Sequence, residues 1–128
     1  MNHSFSAVMR DPVFAPRMES CRNATIPSSV ARCRETGRVD CFRLDWKPGM
    51  PNQPHFFWDS DVAKWMEGAA YILQKERDPE LEAKVESLID DIEAHQEDSG
   101  YFNIYFTVCE PDKRFSNRDW HELYCAGH

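Results

Sequence analysis

The sequence predicts an all-α fold built around one helical hairpin, with an irregular segment before it. Apolar residues recur every three or four positions over two consecutive stretches, at about residues 60–76 and from Pro79 to about residue 96. A proline-rich stretch precedes both, and the closing letters RDWHELYCAGH resemble the start of another helix. We therefore expect one complete hairpin and the beginning of the next.

The composition limits the class of protein. A chain of 128 residues forms one domain at most, or a piece of one. No apolar run approaches the roughly 20 residues that cross a bilayer, so we expect no membrane partner. The net charge of −7 argues against nucleic acid, which proteins bind through basic patches. Five cysteines without a C-x-x-C pair, and no signal peptide, favour free thiols and a cytoplasmic location.

The first part of the chain shows little periodicity. Its regular interruption by proline predicts mostly loop. The prolines are Pro12, Pro16, Pro27, Pro48, Pro51 and Pro54. We therefore expect an irregular N-terminal arm over residues 1–54 and a helical region over residues 55–128.

The first predicted helix covers about residues 60–76. Asp59 or Ser60 is the expected N-cap, because its side chain can accept backbone N–H bonds. The same letters, FWDSD, could alternatively supply acid–base carboxylates, although capping explains them without any function. Gly68 weakens the helix unless a neighbouring helix packs closely against it. The apolar stripe comprises Val62, Trp65, Met66, Ala69, Ala70 and Leu73.

The second predicted helix starts with Asp78 as its N-cap and Pro79 at its first position, a favoured arrangement. Its short connection to the first helix predicts an antiparallel hairpin. Gly100 is the expected left-handed terminator after it. Residues 101–108, YFNIYFTV, then have the composition of a buried strand, and a third helix is expected from Trp120 onward.

The hairpin presents more apolar surface than it can bury by itself. Large side chains such as Trp65, Leu73 and Leu88 would each lose roughly 1.5–3 kcal/mol if left in water. Either the N-terminal arm covers them, or the surface they need lies outside this chain.

The stretch RDWHELYCAGH contains the densest group of side chains that could bind a ligand or a metal. On a helix His121, Cys125 and His128 would share a face, and Glu122 would lie about 100° from His121. The favoured interpretation is a pocket wall that hydrogen-bonds a polar ligand such as a sugar, with an aromatic neighbour as platform. The alternatives are a metalloprotease helix, whose second histidine is replaced by Cys125, a zinc site lacking an evident fourth ligand, and histidines with no function.

Several of these stretches together resemble a known family. WDSDVAKWMEGAAYIL, DPELEAKVESLIDDIEAHQEDSGYFNIYFT and NRDWHELYCAGH are similar to the N-terminal part of the catalytic domain of glycoside hydrolase family 127, over about residues 57–128. Its characterised members are β-L-arabinofuranosidases acting on the non-reducing end. The resemblance implies a six-hairpin α/α barrel, of which this chain would hold one hairpin and the start of the next. A carbohydrate resembling an L-arabinofuranoside would be the substrate.

The resemblance also implies roles for individual residues. His121 matches a wall of the family's sugar pocket, and Glu122 and His128 match weaker candidates for substrate contact or support. The family's cysteine nucleophile, its acid/base glutamate and its zinc ligands lie downstream of this motif. No catalytic residue is therefore expected in this chain, and zinc is expected only in a full-length member.

We accordingly expect a truncated glycosidase domain that is inactive alone. The alternative is a non-catalytic helical module that binds a partner through its apolar face.

Overall fold

The computed structural model describes residue 8 and residues 10–128, and this part of the chain is helical without β-strands. Six α-helices follow one another in the order α1 Phe14–Ser20, α2 Ile26–Glu35, α3 Trp58–Leu73, α4 Pro79–His95, α5 Tyr105–Val108 and α6 Glu122–Ala126. A π-helical stretch, Cys21–Thr25, joins α1 to α2. Single 3-10 turns occupy Asp40–Arg43, Pro111–Lys113 and Arg118–Trp120. The all-α prediction is confirmed.

The predicted hairpin consists of α3 and α4. Asp78 caps α4 as expected, since its Oδ1 accepts bonds from the backbone N–H groups of Glu80 and Leu81, both at 3.1 Å. The predicted cap of α3 is wrong. Phe57 occupies that position without any side-chain cap bond, while Ser60 donates back to the Phe57 carbonyl at 2.9 Å. Asp59 is buried in the first turn, where its carboxylate accepts the Ile104 N–H instead.

The expectation of an irregular arm is wrong for residues 14–35, which are helical from α1 through α2. Pro16 and Pro27 do not break these helices because each lies in a first turn, where the missing N–H is not needed. The π-helical stretch Cys21–Thr25 lies directly before α2, so the chain is helical without a break from α1 to α2. Of the remaining arm, residues 36–54 are loops and one 3-10 turn, and residues 1–7 and 9 lie outside the described part.

The arm supplies part of the core. Trp65 in α3 is buried, and its indole N–H donates to the Ile26 carbonyl in α2 at 3.0 Å. A Cβ added to Gly68 would lie 3.0 Å from the Ile26 side chain, so this glycine permits α2 to pack closely on α3. Phe42, from the 3-10 turn, is buried in the same core, where its ring stacks on Phe102 at 5.6 Å. The hairpin therefore buries one side against residues 26–42.

The segment after α4 differs from its prediction in one respect. Gly100 adopts the expected left-handed conformation, with φ at +85°. The predicted strand over residues 101–108 is wrong, because its second half forms α5. The Asn103 Oδ1 accepts the Phe106 N–H at 2.9 Å, and Asp59 accepts the Ile104 N–H at 2.8 Å. The first bond is local and the second is a tertiary contact; together they satisfy the backbone of a helical turn and override the strand preference of the aromatic letters.

All five cysteines are free thiols. Among the described residues, none of the helices combines the length and the apolar character needed to cross a lipid bilayer.

Candidate functional site

Helix α6 begins with an unusual residue. His121 precedes it in the left-handed conformation, with φ at 54° and ψ at 30°, which few residues with a side chain adopt. Its carbonyl accepts the Cys125 N–H at 3.0 Å, so it starts the helix. The ring itself is exposed. Leu44, Asn52 and Phe115 adopt the same conformation, so the turn positions the exposed imidazole but does not by itself mark a functional residue.

Glu122, the next residue, is buried with 5% exposure and is held by two bonds. Its Oε1 accepts the Tyr101 hydroxyl and its Oε2 accepts the Phe115 N–H, both at 2.5 Å. Burial, followed by the bond to Glu122, raises the pKa of Tyr101. Arg114 lies over the Tyr101 ring at 4.1 Å and pairs with Glu97 at 2.7 Å. This network fixes the start of α6 and the backbone that carries His121.

His121 lies in an open cavity of about 960 Å³ that we call the aromatic cavity. Its ring centroid is 5.2 Å from Phe57 and 6.1 Å from Tyr124. The wall is formed mainly by His55, Phe57, Trp58, Lys64, His121 and Tyr124. Aromatic faces combined with separate hydrogen-bonding groups suit a ligand that has both apolar and hydroxyl surfaces.

Two cations belong to the aromatic cavity. Lys64 is exposed, with its Nζ 4.9 Å from the Tyr124 ring, and a hydrogen bond to Tyr124 raises its pKa. Arg38 lies 5.0 Å over Trp58 and pairs through Nε with the Asp61 Oδ2 at 3.1 Å. Each cation thus lies against an aromatic ring of the cavity wall, Lys64 against Tyr124 and Arg38 against Trp58.

The other side of α6 borders a second cavity, of about 630 Å³, that we call the apolar cavity. Its wall is mainly apolar and includes Met66, Ile89, Ile92, Phe102, Phe115 and Leu123. Glu122 and His128 also line it. His128 is exposed, and its ring meets Tyr124 edge-on at 4.7 Å. The three sequence-predicted site residues are therefore not in one cavity: His121 faces the aromatic cavity, and Glu122 and His128 border the apolar one.

Two residues that line the apolar cavity each have a buried polar atom that is inaccessible to solvent and has no partner in the described part of the chain. These atoms are Oδ1 of Asp59, whose residue is 7% exposed, and Nδ2 of Asn103, whose residue is 1% exposed. Burial raises the pKa of Asp59 to about 6, against the lowering effect of the Ile104 N–H. A buried acceptor and a buried donor without partners are costly and call for an explanation.

The zinc alternative from the sequence is not formed. Cys125 is buried and its thiol donates to the Phe56 carbonyl at 3.0 Å, while His121 and His128 line different cavities. Over residue 8 and residues 10–128, no group of three or more His, Cys, Asp or Glu side chains is placed to hold a metal ion. The described residues thus do not fit the zinc that the resemblance implies for a full-length member.

Sequence reasoning missed most of the aromatic cavity. Arg38 lies in a segment that was predicted to be loop. Lys64 lies one helical turn after Ser60, in a helix to which the sequence analysis assigned only a structural role. The one signal available was the density of aromatic letters over residues 55–58, next to the predicted start of α3. Tyr101 was assigned to a strand, although it is the partner of Glu122.

The described part of the chain is thus a helical hairpin with flanking helices, bordered by two cavities on either side of α6. The chain belongs to the family described as β-L-arabinofuranosidase, GH127 catalytic domain, whose sequence pattern matches residues 7–128. The family assignment is confirmed, and the match is wider than the resemblance over residues 57–128 because it includes nearly all of the arm.

Two relatives give the extent of the similarity. A non-reducing end β-L-arabinofuranosidase from Bifidobacterium longum subsp. longum is 42% identical over 77 residues, which is 56% of this chain and 12% of the relative. The crystal structure of a GH127 β-L-arabinofuranosidase from Geobacillus stearothermophilus T6 matches with a TM-score of 0.86 and 34% identity. That match covers 97% of this chain and 21% of the solved one. The chain therefore corresponds to part of a GH127 domain.

Proposed function

We propose that this chain forms one wall of the sugar-binding site of a GH127-type glycosidase that releases terminal β-L-arabinofuranosyl units. The observation that carries this proposal is the placement of His121. Within a chain matched by the GH127 family pattern, the motif histidine is exposed in an aromatic cavity and is held there by a left-handed turn. The substrate class is drawn from the names of the two relatives.

In this proposal His121 hydrogen-bonds a hydroxyl of the sugar, and the rings of Phe57 and Tyr124 contact its apolar face. Glu122 acts indirectly, because both of its carboxylate oxygens already accept bonds from Tyr101 and Phe115. His128 also acts indirectly, through its contact with Tyr124. Unpaired thiols support a cytoplasmic location as part of the same proposal.

The chemistry of bond cleavage is assigned to other parts of the domain. The cysteine nucleophile, the acid/base glutamate and the zinc ligands of a full-length member would come from segments that this chain does not include. We therefore expect the 128-residue chain alone not to hydrolyse an aryl β-L-arabinofuranoside. Hydrolysis by the purified chain, lost on a substitution within it, would contradict this.

The experiment that tests the proposal is a single-polypeptide chimera. This chain replaces the matched fifth of the Geobacillus enzyme, which supplies the remaining machinery. We expect hydrolysis of an aryl β-L-arabinofuranoside, and we expect His121→Ala to lower kcat/KM by about 10- to 100-fold, the effect of losing one or two hydrogen bonds to the sugar. His95→Ala, at the distant end of α4, is the control. A folded chimera indifferent to His121→Ala would overturn the proposal.

One observation favours the alternative of a non-catalytic partner-binding module, namely the apolar cavity beside α6. The chimera distinguishes the two functions. If the chain were only a partner-binding module, His121→Ala would not change sugar turnover by the chimera.

A further inference from the structure

The aromatic cavity carries an excess of positive charge. Among the described residues, its wall contains two cations, Arg38 and Lys64, and one carboxylate, Asp61. Arg38 donates through Nε to Asp61 at 3.1 Å and through Nη1 to the Thr36 hydroxyl at 2.6 Å, so Arg38 and Asp61 neutralise each other. Lys64 therefore leaves the wall with a charge of +1, in a chain whose net charge is −7.

Lys64 differs from two other lysines of the chain in its partner. Lys84 and Lys113 each pair with a glutamate. Within the described part of the chain, no carboxylate lies at ion-pair distance from Lys64, whose Nζ lies instead 4.9 Å from the centre of the Tyr124 ring. The side chain is exposed, and its ammonium group has three donors, of which the bond to Tyr124 uses one. The remaining donors are open to a ligand.

Two neutral groups of the same wall also present donors. The His55 Nδ1 accepts the Phe57 N–H at 3.3 Å, so the proton of the neutral imidazole is on Nε2, which donates. The Tyr124 oxygen accepts from Lys64, so its own hydroxyl hydrogen is left to donate. A carboxylate only accepts hydrogen bonds and carries a negative charge. It therefore suits this wall better than a neutral hydroxyl group does.

Lys64 lies beside the place that the proposed function gives to the sugar. The ring centroids of His121 and Tyr124 are 6.1 Å apart, and Lys64 meets the same tyrosine ring. A ligand that bonds His121 and extends along Tyr124 by one further unit thus reaches the ammonium group. The cavity, at about 960 Å³, is large enough for a ligand of more than one unit.

We propose that Lys64 is a specificity-determining residue that bonds a carboxylate on the unit next to the terminal arabinofuranosyl group. The inference rests on the proposed function, because it takes the sugar at His121 as given, and it goes further by assigning an acidic substrate. The carboxylate belongs either to a uronic acid or to a non-sugar aglycone, which present the same chemistry to the ammonium group. Arg38 neutralises Asp61 and so limits the repulsion between Asp61 and that carboxylate.

The test compares acids with their neutral amides in the single-polypeptide chimera. One pair is β-L-arabinofuranosyl glucuronic acid and its glucuronamide, and the other is 4-carboxyphenyl β-L-arabinofuranoside and its carboxamide. The measured quantity is the ratio of kcat/KM for the acid to kcat/KM for the amide. Comparing this ratio between variants cancels the difference between the leaving groups. We expect Lys64→Met to lower the ratio by about two- to fivefold for at least one pair, as the loss of an exposed ion pair allows.

Three controls separate recognition of charge from a structural effect. Lys64→Arg retains the charge and should retain most of the ratio. Lys84→Met, in α4 and in the wall of neither cavity, should leave the ratio unchanged. Raising the salt concentration from about 0.01 M to 1 M should bring the wild-type ratio close to that of Lys64→Met, because salt screens an exposed pair.

Equal ratios in wild type and Lys64→Met for both pairs would overturn the inference, and so would an equal fall with Lys84→Met. A response of the glucuronic acid pair alone would assign the carboxylate to a sugar, and a response of the carboxyphenyl pair alone would assign it to another aglycone. His121→Ala tests the proposed function separately, because it should lower kcat/KM for acid and amide alike.

A chimera that hydrolyses neither pair counts against the proposed function only. The Kd values of the same four compounds, measured by titration calorimetry, then replace kcat/KM in the ratio. The inference expects the same two- to fivefold change with Lys64→Met. Equal Kd ratios in the two variants, or no binding of either acid, would overturn it.

Discussion

The two cavities beside α6 differ in how their polar groups are satisfied. In the aromatic cavity Arg38 pairs with Asp61, and Lys64 and His121 lie against aromatic rings and remain open to solvent. In the apolar cavity Asp59 and Asn103 are almost completely buried and each has an unmet polar atom. Solvent-open polar groups suit a surface that exchanges ligands with water, whereas buried polar groups without partners call for an explanation such as an ordered water or an ion. The two sides of α6 therefore differ in their chemistry: one presents open polar groups beside aromatic rings, and the other presents a mainly apolar wall.

A single buried residue connects the two sides. Glu122 lies between His121, which lines the aromatic cavity, and Leu123, which lines the apolar one. Its bonds to Tyr101 and Phe115 attach α6 to the segment after α4. The three successive residues of H-E-L therefore lie in three different environments. His121 lines the aromatic cavity, Glu122 is buried, and Leu123 lines the apolar cavity.

The largest effect is expected from Glu122→Ala. The substitution leaves the Tyr101 hydroxyl and the Phe115 N–H without their acceptor, and should lower the free energy of unfolding by roughly 3–5 kcal/mol. Urea denaturation of the chain measures this, with Glu93→Ala on the exposed side of α4 as control. A loss no greater than that of the control would show that Glu122 does not hold α6 in place. The two cavities would then not be coupled through this residue.

The next effect concerns the pH dependence of the apolar cavity. Burial raises the Asp59 pKa from 3.8 to about 6 in the folded chain. The folded state thus holds this proton more tightly than the unfolded state, so the group favours folding below about pH 4, and the contribution is lost as the pH rises through 6. Asp59→Asn retains an acceptor for Ile104 without the charge, and should be more stable than wild type by up to about 3 kcal/mol at pH 7.

Thermal unfolding of Asp59→Asn and wild type across pH 4–7 measures this difference, which should approach zero at the acidic end. Asp90→Asn, on the exposed side of α4, is the matched control for the same change of side chain. A constant difference for Asp59→Asn would show that the buried carboxylate is already satisfied, and the contrast between the two cavities would be lost.

The smallest effect is expected in the aromatic cavity. His121→Gly removes the cost of a left-handed conformation and should stabilise the chain by roughly 1 kcal/mol, whereas His121→Ala retains that cost. Both substitutions remove the imidazole, so both should lose the sugar contact. Chemical denaturation separates them. Equal stability of the two variants would show that the turn is not strained, and would weaken the case for function at His121.

Local patterns predicted the hairpin well because its helices follow their own apolar periodicity and their own cap at Asp78. Long-range contacts decided the rest. The helix over residues 14–35 was missed because proline in a first turn cannot be told from proline in a loop by its letter alone. The helical turn of α5 depends on Asp59, 45 positions before its partner Ile104. The family resemblance indicated His121, but no sequence pattern separated the two cavities on either side of it.

The most direct test of this account compares His121→Ala with Leu123→Lys in the chimera with the Geobacillus enzyme. We expect His121→Ala to fold with an unchanged Tm and to lose turnover of the aryl β-L-arabinofuranoside. Leu123→Lys, two residues away on the apolar side of α6, is expected to lower the Tm. If both substitutions instead reduced turnover without changing the Tm, or both reduced the Tm alike, the difference between the two sides of α6 would be contradicted.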